Sequence, residues 1–360
     1  MRCTLIKAAA WLLLFVAAAA SAAHVGELHR TAFDRTAALR DAQQRAVLRI
    51  TVWYPAAAES VERNIAIGPA DKPLFEVGTA APDAPFDTSR ATYPVILLSH
   101  GYGGSARVMG WLGIELARDG YIVVAVDHPG NNGAEPMTVA GAALWWDRAE
   151  DLRIALDAIA RDRTVGPHAD LSRVGVAGFS AGGYTSLMAA GARIEPWRFI
   201  QFCTTHPDDD MCKPQPELAV TREDFDKLLK RPEIKAELAH ASDDHSIAQV
   251  RAVFVMAPVL VQALRPASLE ALAAPVQIMV GDADTTAPAV TNAVVAARLI
   301  PNALLTRLAG VTHYDFLADC TAAGRAAVPV CAQATHQDDV HRLAIQSAQH
   351  FFDARLAPIR

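Results

Sequence analysis

The stretch Gly178-Phe179-Ser180-Ala181-Gly182 lies between an apolar run at residues 174–177 and a helix-forming segment at residues 184–190. A strand, a G-x-S-x-G turn and a helix in this order form a nucleophile elbow, which presents the serine hydroxyl at the carboxyl edge of a sheet. Glycine two residues before and two residues after the serine leaves the room that so sharp a turn needs. The pattern therefore predicts Ser180 as a nucleophile on a strand–turn–helix unit.

Strands and helices alternate on both sides of this turn. Continuous apolar runs, typical of strands buried on both faces of a sheet, lie at residues 94–99, 121–126, 253–256 and 276–280. Helical patterns lie at residues 106–118, 147–162, 182–191, 289–299 and 337–354, with a last strand near residues 303–308. This alternation predicts an α/β fold with a mostly parallel, doubly wound sheet and helices on both faces.

Three segments depart from the alternation. Residues 46–54 alternate in part between apolar and polar and stop at Pro55, which predicts an early edge strand. Residues 55–93 are rich in Ala, Pro, Asp and Gly and predict a long connection. Residues 192–250 follow the nucleophile helix and predict an insertion over the carboxyl edge of the sheet, either a lid or a surface loop.

The N-terminus has the pattern of an export signal. Basic residues precede an apolar run at residues 8–20, and Ala20-Ser21-Ala22 fits an A-x-A cleavage site. A membrane anchor is the alternative, but the run is shorter than the ~18–20 residues of a spanning helix and no basic stop-transfer cluster follows it. We therefore predict a signal peptide at residues 1–22, a catalytic domain at residues 23–360 and a secreted or periplasmic location.

The cysteines fit such a location. Removal of the signal leaves Cys203, Cys212, Cys320 and Cys331, and an even number in an exported chain suggests disulfides. The short separations favour the pairs Cys203–Cys212 and Cys320–Cys331, each closing a small loop, and free buried thiols are the alternative.

The charge balance limits the partners. A formal net charge of −6 on 360 residues is mild. It provides neither the basic stripe that nucleic acid requires nor a polybasic patch for a membrane surface. We expect no nucleic-acid partner and no stable membrane insertion after signal removal.

A serine hydroxyl becomes a good nucleophile when a histidine removes its proton and a carboxylate orients that histidine. After a nucleophile elbow the expected chain order is serine, acid, histidine. His313 follows the last strand and is the predicted general base, whereas Asp282 and Asp284 both follow the strand at residues 276–280. We favour Asp284 as the acid because it lies deeper in the loop, which leaves Asp282 to brace the turn.

Chemistry at an acyl group also needs N–H donors for an oxyanion. The residue after the nucleophile supplies one of them, the backbone N–H of Ala181. The loop at residues 100–104 reads His-Gly-Tyr-Gly-Gly, and its glycines let the main chain approach a substrate closely. Tyr102 N–H is the predicted second donor, and an ordinary tight turn is the alternative interpretation.

Three other residues could line a substrate pocket. Trp145 and Trp146 precede a predicted helix, where an aromatic pocket wall and core packing suit them equally well. His128 follows the strand at residues 121–126 and either faces the cleft or belongs to a turn, the interpretation that we favour.

Taken together, the motifs resemble those of a known superfamily. They are His-Gly-x-Gly-Gly after an apolar strand, Gly-Phe-Ser-Ala-Gly-Gly, the Gly-Asp-x-Asp loop and Gly-x-x-His-Tyr-Asp-Phe-Leu. The combination resembles the α/β-hydrolases, and within them most closely the predicted dienelactone-hydrolase and platelet-activating-factor-acetylhydrolase-like group of serine esterases. The resemblance implies an α/β-hydrolase fold with Ser180, Asp284 and His313 as a triad and with Tyr102 and Ala181 as oxyanion donors.

The resemblance also implies ester hydrolysis without a metal ion or an organic cofactor. The expected substrate is a small-molecule or lipid-like ester. An amidase, a peptidase or an acyltransferase would use the same triad, and a non-catalytic binding protein with this fold is a further alternative.

Overall fold

The computed structural model describes residues 23–357, and the predicted signal peptide lies outside the described residues. Within them, eleven strands form one sheet. Their bounds are β1 (His24–Phe33), β2 (Val47–Ala56), β3 (Arg63–Ile67), β4 (Phe75–Pro82), β5 (Tyr93–Ser99), β6 (Ile122–Asp127), β7 (Ala169–Phe179), β8 (Val250–Met256), β9 (Val276–Gly281), β10 (Leu304–Leu308) and β11 (Asp319–Cys320).

One half of the sheet is parallel, in the order β10-β9-β8-β7-β5-β6. The other half is mixed: β2 pairs antiparallel with β6, β1 pairs antiparallel with β2, and β4 lies beside β1 and carries β3 and β11. Because β5 to β10 run in one direction, the loops that follow them meet at one edge of the sheet, where ligands bind in folds of this kind.

Helices cover both faces of the sheet. They are α1 (Ala37–Arg40), α2 (Gly110–Arg118), α3 (Val139–Ala143), α4 (Asp147–Arg161), α5 (Ala181–Ala189), α6 (Pro196–Thr205), α7 (Arg222–Leu228), α8 (Pro232–Leu238), α9 (Pro266–Glu270), α10 (Ala293–Leu299), α11 (Ala322–Ala327) and α12 (Gln337–Arg355).

The apolar runs are explained by this double cover. Successive side chains of a strand point to opposite faces. In β5, Val95 and Leu97 belong to the core cluster that contains α4 and α5, whereas Ile96 and Leu98 belong to the cluster that contains α2 and α12. Both faces of a central strand are therefore buried, and the predicted α/β fold with a mostly parallel sheet is confirmed.

The strand predicted at residues 46–54 is present as β2, but its predicted position at the edge of the sheet is wrong. β2 lies between β6 and β1, because β1 pairs with it over its whole length, from His24 opposite Ala56 to Phe33 opposite Val47. β1 carries several charged side chains, so it lacks the apolar run by which a buried strand is recognised.

The long connection predicted at residues 55–93 contains β3 and β4, which pair antiparallel. The register of this pair shifts between Ile65 and Ala66, opposite Gly78, whose φ is 141°. The shift interrupts the alternation of side chains along both strands, so the sequence pattern does not predict β3 and β4 as strands.

The segment at residues 192–250 contains α6, α7 and α8. The side chains of Thr221 and Asp224 cap α7 reciprocally, which fixes where that helix begins. Leu228 of α7 and Ile234 of α8 are buried in the same core cluster as α4 and α5. The insertion is thus packed against the sheet domain through its apolar residues.

Both predicted disulfides are present. Cys203–Cys212 links α6 to the turn that follows it, and Cys320–Cys331 links β11 to a turn after α11. Disulfides are typical of proteins that fold in an oxidising environment. Over residues 23–357, the structure has no helix that is both long enough and apolar enough to cross a membrane.

Removal of either disulfide should lower the free energy of unfolding by about 2–3 kcal/mol, because each one restricts the unfolded chain by closing a short loop. The double variants Cys203→Ala/Cys212→Ala and Cys320→Ala/Cys331→Ala, compared with wild type by urea unfolding, test this. The second variant should lose more, because Cys320 and Cys331 are buried and Cys203 and Cys212 are partly exposed. Equal unfolding midpoints for all three proteins would contradict the prediction.

Candidate active site

Ser180 sits in the turn between β7 and α5 with φ 56° and ψ −119°, a conformation that is strained for any residue with a side chain. Its neighbours explain how the turn fits. A Cβ atom on Gly178 would overlap the carbonyl of Gly182, and a Cβ atom on Gly182 would overlap the carbonyl of Ser99 in β5. Both positions therefore require glycine, and the turn brings Ser180 to the carboxyl edge of the sheet.

His313 and Asp284 complete a hydrogen-bonded chain with this serine. Nε2 of His313 lies 2.9 Å from Ser180 Oγ, and Nδ1 of His313 lies 2.7 Å from Asp284 Oδ2. A carboxylate only accepts, so the imidazole proton lies on Nδ1 and Nε2 accepts the serine proton. All three residues are buried. The arrangement can move a proton from Ser180 to the imidazole.

The loops that carry these two residues are fixed by their own hydrogen bonds. Asp284 Oδ1 accepts from the N–H of Ala287 at 2.7 Å, which holds the carboxylate in place. His313 begins a short 3₁₀ turn that is capped by Thr312 and Asp315, with 2.8 Å between the Thr312 nitrogen and an oxygen of Asp315.

Asp282 has a different partner, although it leaves the same strand. Its Oδ1 accepts from the N–H of Gly310 at 2.7 Å. This bond joins the loop after β9 to the loop after β10, the loop that carries His313. Asp282 thus braces the two loops against each other, whereas Asp284 contacts the imidazole.

Two backbone N–H groups lie in the segments next to the serine: Ala181 directly follows Ser180, and Tyr102 belongs to the loop that lines the same cleft. Over residues 23–357, no protein group accepts a hydrogen bond from either of them. The loop approaches the elbow closely, since a Cβ atom on Gly101 would lie 3.2 Å from Ser180 Cβ. Unused N–H donors beside a nucleophile are what an oxyanion requires.

A cleft of about 1110 Å³ opens over Ser180 and His313. Its apolar wall comes from β4 and from the loop closed by the second disulfide, with Leu74, Phe75, Val328, Pro329 and Val330. The insertion contributes residues 215–217, and Tyr102 Oη donates to the carbonyl of Leu218 at 3.0 Å. These lining residues could not be predicted from the sequence, since neither the wall nor the insertion contains a motif.

The ionisable groups of the cleft are perturbed mainly by burial. Burial raises the pKa of the Tyr314 phenol to about 12, and it raises the pKa of the Tyr102 phenol further. Both phenols are neutral at ordinary pH. Desolvation also raises the pKa of the Glu217 carboxyl, while the positive form of His313 would lower it. In the part of the chain that the structure describes, no cluster of three or more His, Cys, Asp or Glu side chains could hold a metal ion.

The three residues suggested for the pocket do not line this cleft. His128 is fully buried between Ser99 and Asp151. Trp146 is buried in the core, and Trp145 packs edge-on against Phe199 of α6, with ring centroids 5.5 Å apart. The pocket suggestion is therefore corrected: α4 and α6 cover these side chains, which the local sequence cannot indicate.

Two comparisons with known proteins concern the fold and one segment of the chain. The family model of platelet-activating factor acetylhydrolase, isoform II, matches residues 76–161. No curated protein matches the sequence. Among solved structures, the ferulic acid esterase from Streptomyces cinnamoneus matches with a TM-score of 0.62 at 19% sequence identity, over 95% of this chain and 92% of that chain. The chain has the α/β-hydrolase fold.

The two matches cover different parts of the chain. The family match runs from β4 to the end of α4, so it includes the loop at residues 100–104 but ends before Ser180. It confirms the resemblance to this group of esterases over that segment. In total 1140 chains of solved structures match, and a fold so widely shared does not by itself indicate a substrate.

Exchange of Asp284 for asparagine should slow the reaction of Ser180 with a fluorophosphonate on the order of 10³-fold, because the imidazole loses the carboxylate that orients it. Asp282→Asn is the matched control, and we expect its rate within a few-fold of wild type. Both rates are measured by quenching the reaction with a fluorescent fluorophosphonate at a series of times and quantifying the labelled protein on a gel. Equal slowing of the two variants would contradict the assignment of Asp284.

Proposed function

We propose that the protein is an exported serine hydrolase that cleaves carboxylic esters through an acyl-enzyme. The observation that carries the proposal is the hydrogen-bonded chain from Ser180 through His313 to Asp284, which opens into a cleft beside two unused N–H donors. Both comparisons name ester-cleaving enzymes, an acetylhydrolase and a ferulic acid esterase, and this supports a carboxylic ester hydrolase.

In the proposed acylation step, Ser180 Oγ attacks the carbonyl carbon of the ester while Nε2 of His313 takes its proton. The N–H groups of Tyr102 and Ala181 bind the oxyanion of the tetrahedral intermediate. Asp284 holds the imidazole and balances its transient charge. His313 then gives the proton to the departing alcohol oxygen, which leaves the acyl group on Ser180.

Deacylation repeats these roles with water as the nucleophile. His313 removes a proton from the water, the oxyanion forms again between the same two donors, and the ester bond to Ser180 breaks. His313 returns the proton to Ser180 Oγ. The products are the alcohol and the carboxylic acid.

The cleft suggests the type of ester. Its volume of about 1110 Å³ is at the upper end of the roughly 300–1,000 Å³ of ordinary ligand pockets. The wall at residues 328–330 is apolar. We therefore propose an ester with a bulky apolar acyl or alcohol group, of small-molecule or lipid-like type.

Export is proposed on two features. The first 22 residues have the composition of a signal peptide, and the two disulfides fit an oxidising compartment. A secreted or periplasmic location is consistent with both.

Purified mature protein should react with a fluorophosphonate probe and hydrolyse p-nitrophenyl esters, and Ser180→Ala should lose both activities. We expect kcat/KM to rise from the acetyl ester to medium-chain esters, because longer chains bury more apolar surface in the cleft. Matched anilides should react more slowly than the esters.

Faster anilide cleavage would instead favour an amidase or peptidase. Labelling without hydrolysis, but with transfer to an added alcohol, would favour an acyltransferase. Absence of labelling in the folded wild type would favour a non-catalytic binding protein.

We also propose that the insertion at residues 192–250 acts as a lid, held closed in part by the hydrogen bond from Tyr102 to Leu218. Tyr102→Phe removes only this hydroxyl and keeps the backbone N–H and the ring. It should speed tryptic cleavage after Arg222, an exposed residue of the insertion, by up to about tenfold, since one hydrogen bond contributes about 0.5–1.5 kcal/mol. Turnover of p-nitrophenyl acetate should stay within about threefold of wild type because the backbone N–H of Tyr102 is kept.

The matched control is Tyr121→Phe, which loses a 2.6 Å bond to Asp353 in a part of the fold outside the cleft lining. The control should leave cleavage after Arg222 at the wild-type rate. Equal cleavage rates in wild type and Tyr102→Phe would show that the insertion is a fixed surface loop.

A further inference from the structure

A buried polar network lies beneath the cleft. It begins with Ser99, His128 and Asp151, which are hydrogen-bonded in the same order as the serine, histidine and acid of a catalytic triad. Nδ1 of His128 lies 2.7 Å from Asp151 Oδ2, and Nε2 lies 2.8 Å from Ser99 Oγ. All three side chains are fully buried and none lines the cleft. A nucleophilic role is therefore excluded. The Asp151 carboxylate accepts from Nδ1 of His128, so Nε2 accepts from the Ser99 hydroxyl. The oxygen of that hydroxyl is then free to accept a hydrogen bond from the next member of the network.

That member is Arg148 at the start of α4. Its guanidinium reaches Ser99 Oγ at 3.4 Å and donates to the carbonyl of His100, where the loop that carries Tyr102 begins. One side of the guanidinium is thus attached to the segment that supplies the first oxyanion donor.

The opposite side of Arg148 is attached to the second donor segment. Its Nε donates to Thr185 Oγ1 at 3.0 Å, and Thr185 Oγ1 donates to the carbonyl of Ala181 at 2.8 Å. Ala181 is the residue whose backbone N–H is the second proposed oxyanion donor. The same guanidinium therefore links both donor segments through at most one intervening side chain.

Asn131 adds a third attachment. Its Oδ1 lies 3.5 Å from Nη1 of Arg148 and accepts from the N–H of Gly103 at 3.0 Å. Its Nδ2 donates to the carbonyl of Gly141. The Tyr102 peptide is consequently held on both sides, at His100 and at Gly103.

The charge of Arg148 sets it apart from the other buried arginine. Arg40 forms ion pairs of 2.8 and 2.7 Å with Asp34 and Asp151. Over residues 23–357, no carboxylate lies within 4.0 Å of the Arg148 guanidinium. Burial lowers the pKa of Arg148, and Asp151 opposes this from a greater distance. A cation with oxygen dipoles as its direct partners stabilises negative charge that develops nearby.

The neutral state of the two histidines in the network agrees with a fixed positive charge. Burial and the charges of Arg148 and Arg40 hold the pKa of His128 well below its usual range. Burial, His128 and Arg148 do the same for the pKa of His100. His100 Nδ1 donates to the carbonyl of Gly101 at 2.6 Å, which further fixes the donor loop.

We infer that Arg148 is a positioning residue that holds the N–H groups of Tyr102 and Ala181 at one separation and places a positive charge behind them. The inference rests on the proposed ester hydrolysis. Arg148 does not touch the substrate; it acts through His100, through Thr185 and through Asn131. Its loss should therefore impair binding of the oxyanion more than binding of the substrate.

The test compares Arg148→Met and Arg148→Lys with Thr185→Val, which is isosteric and removes only the hydroxyl link to Ala181. Ser186→Ala is the matched control. Ser186 Oγ donates to the carbonyl of Gly182 at 2.8 Å, the same kind of bond one residue further along α5, but it has no contact with Arg148. Each variant is assayed for kcat and KM and for two inhibitor affinities.

The inhibitors are an alkyl trifluoromethyl ketone, which forms a tetrahedral oxyanion on the serine, and the matching alcohol, which does not. For Arg148→Met we expect kcat to fall about 10- to 100-fold with KM within a few-fold, and the ketone affinity to fall by the same factor as kcat/KM. The alcohol affinity should not change. Arg148→Lys should recover part of the loss, and Thr185→Val should show a smaller loss of the same kind.

Wild-type values for Thr185→Val together with a folded, fully active Arg148→Met would overturn the inference. Equal losses of ketone and alcohol affinity would also overturn it, because they would indicate a deformed cleft. If Arg148→Met does not fold, the comparison of Thr185→Val with Ser186→Ala tests the inference. A loss of ketone affinity in Thr185→Val alone would support it, and equal values in the two variants would overturn it. Failure of wild type to react with fluorophosphonate or to turn over any ester would instead remove the proposed function, and the inference with it.

Discussion

The tight turn at Ser180 is the constraint on which the site depends. Its positive φ holds the hydroxyl clear of both β7 and α5, and this conformation is possible only because Gly178, Gly182 and the carbonyl of Ser99 fit together without a Cβ atom between them. The strain is therefore supported by three elements at once, β5, β7 and α5. The same close contact brings the end of β5, and with it the loop of Tyr102, within reach of the nucleophile.

Two hydrogen-bonded systems diverge from this turn. The chain through His313 to Asp284 is suited to moving a proton, because it joins an ionisable imidazole to a carboxylate and to the hydroxyl. The network through Arg148 contains two histidines, His100 and His128, whose pKa values are held well below the usual range by burial and nearby positive charge, and it is suited to holding geometry. The fold thus separates proton transfer from the support of backbone donors, although both systems meet within one residue of Ser180.

Much of this arrangement was predictable from the sequence, for a physical reason. Parallel strands buried on both faces need continuous apolar runs, so a short stretch of sequence is enough to locate them. Asp284 and His313 could be located because each follows a predicted strand. β1 was missed because charged side chains interrupt its apolar pattern, and β3 and β4 were missed because the register shift between them interrupts their alternation. For His128 and Trp146 the sequence left a pocket role open beside a role in a turn or in the core, because which elements cover a side chain is a tertiary property.

The network around Arg148 shows the limit of local patterns more sharply. Its members come from β5, the loop after β6, α4 and α5. They are far apart in the sequence, and no sequence motif connects them. An arginine in an amphipathic helix such as α4 is expected on the solvent side. Only the packed structure reveals that this one is buried.

The disulfide between Cys320 and Cys331 has a practical consequence. It closes the loop whose residues 328–330 form the apolar wall of the cleft, while Ser180, His313 and Asp284 are held by hydrogen bonds that involve no sulfur. Protein produced in a reducing cytosol would keep the hydrogen bonds between these three residues, but the wall at residues 328–330 would be held less firmly. A substrate profile measured on such protein would depend on whether the disulfide had formed. Chain-length preferences should therefore be compared only between samples produced in the same compartment.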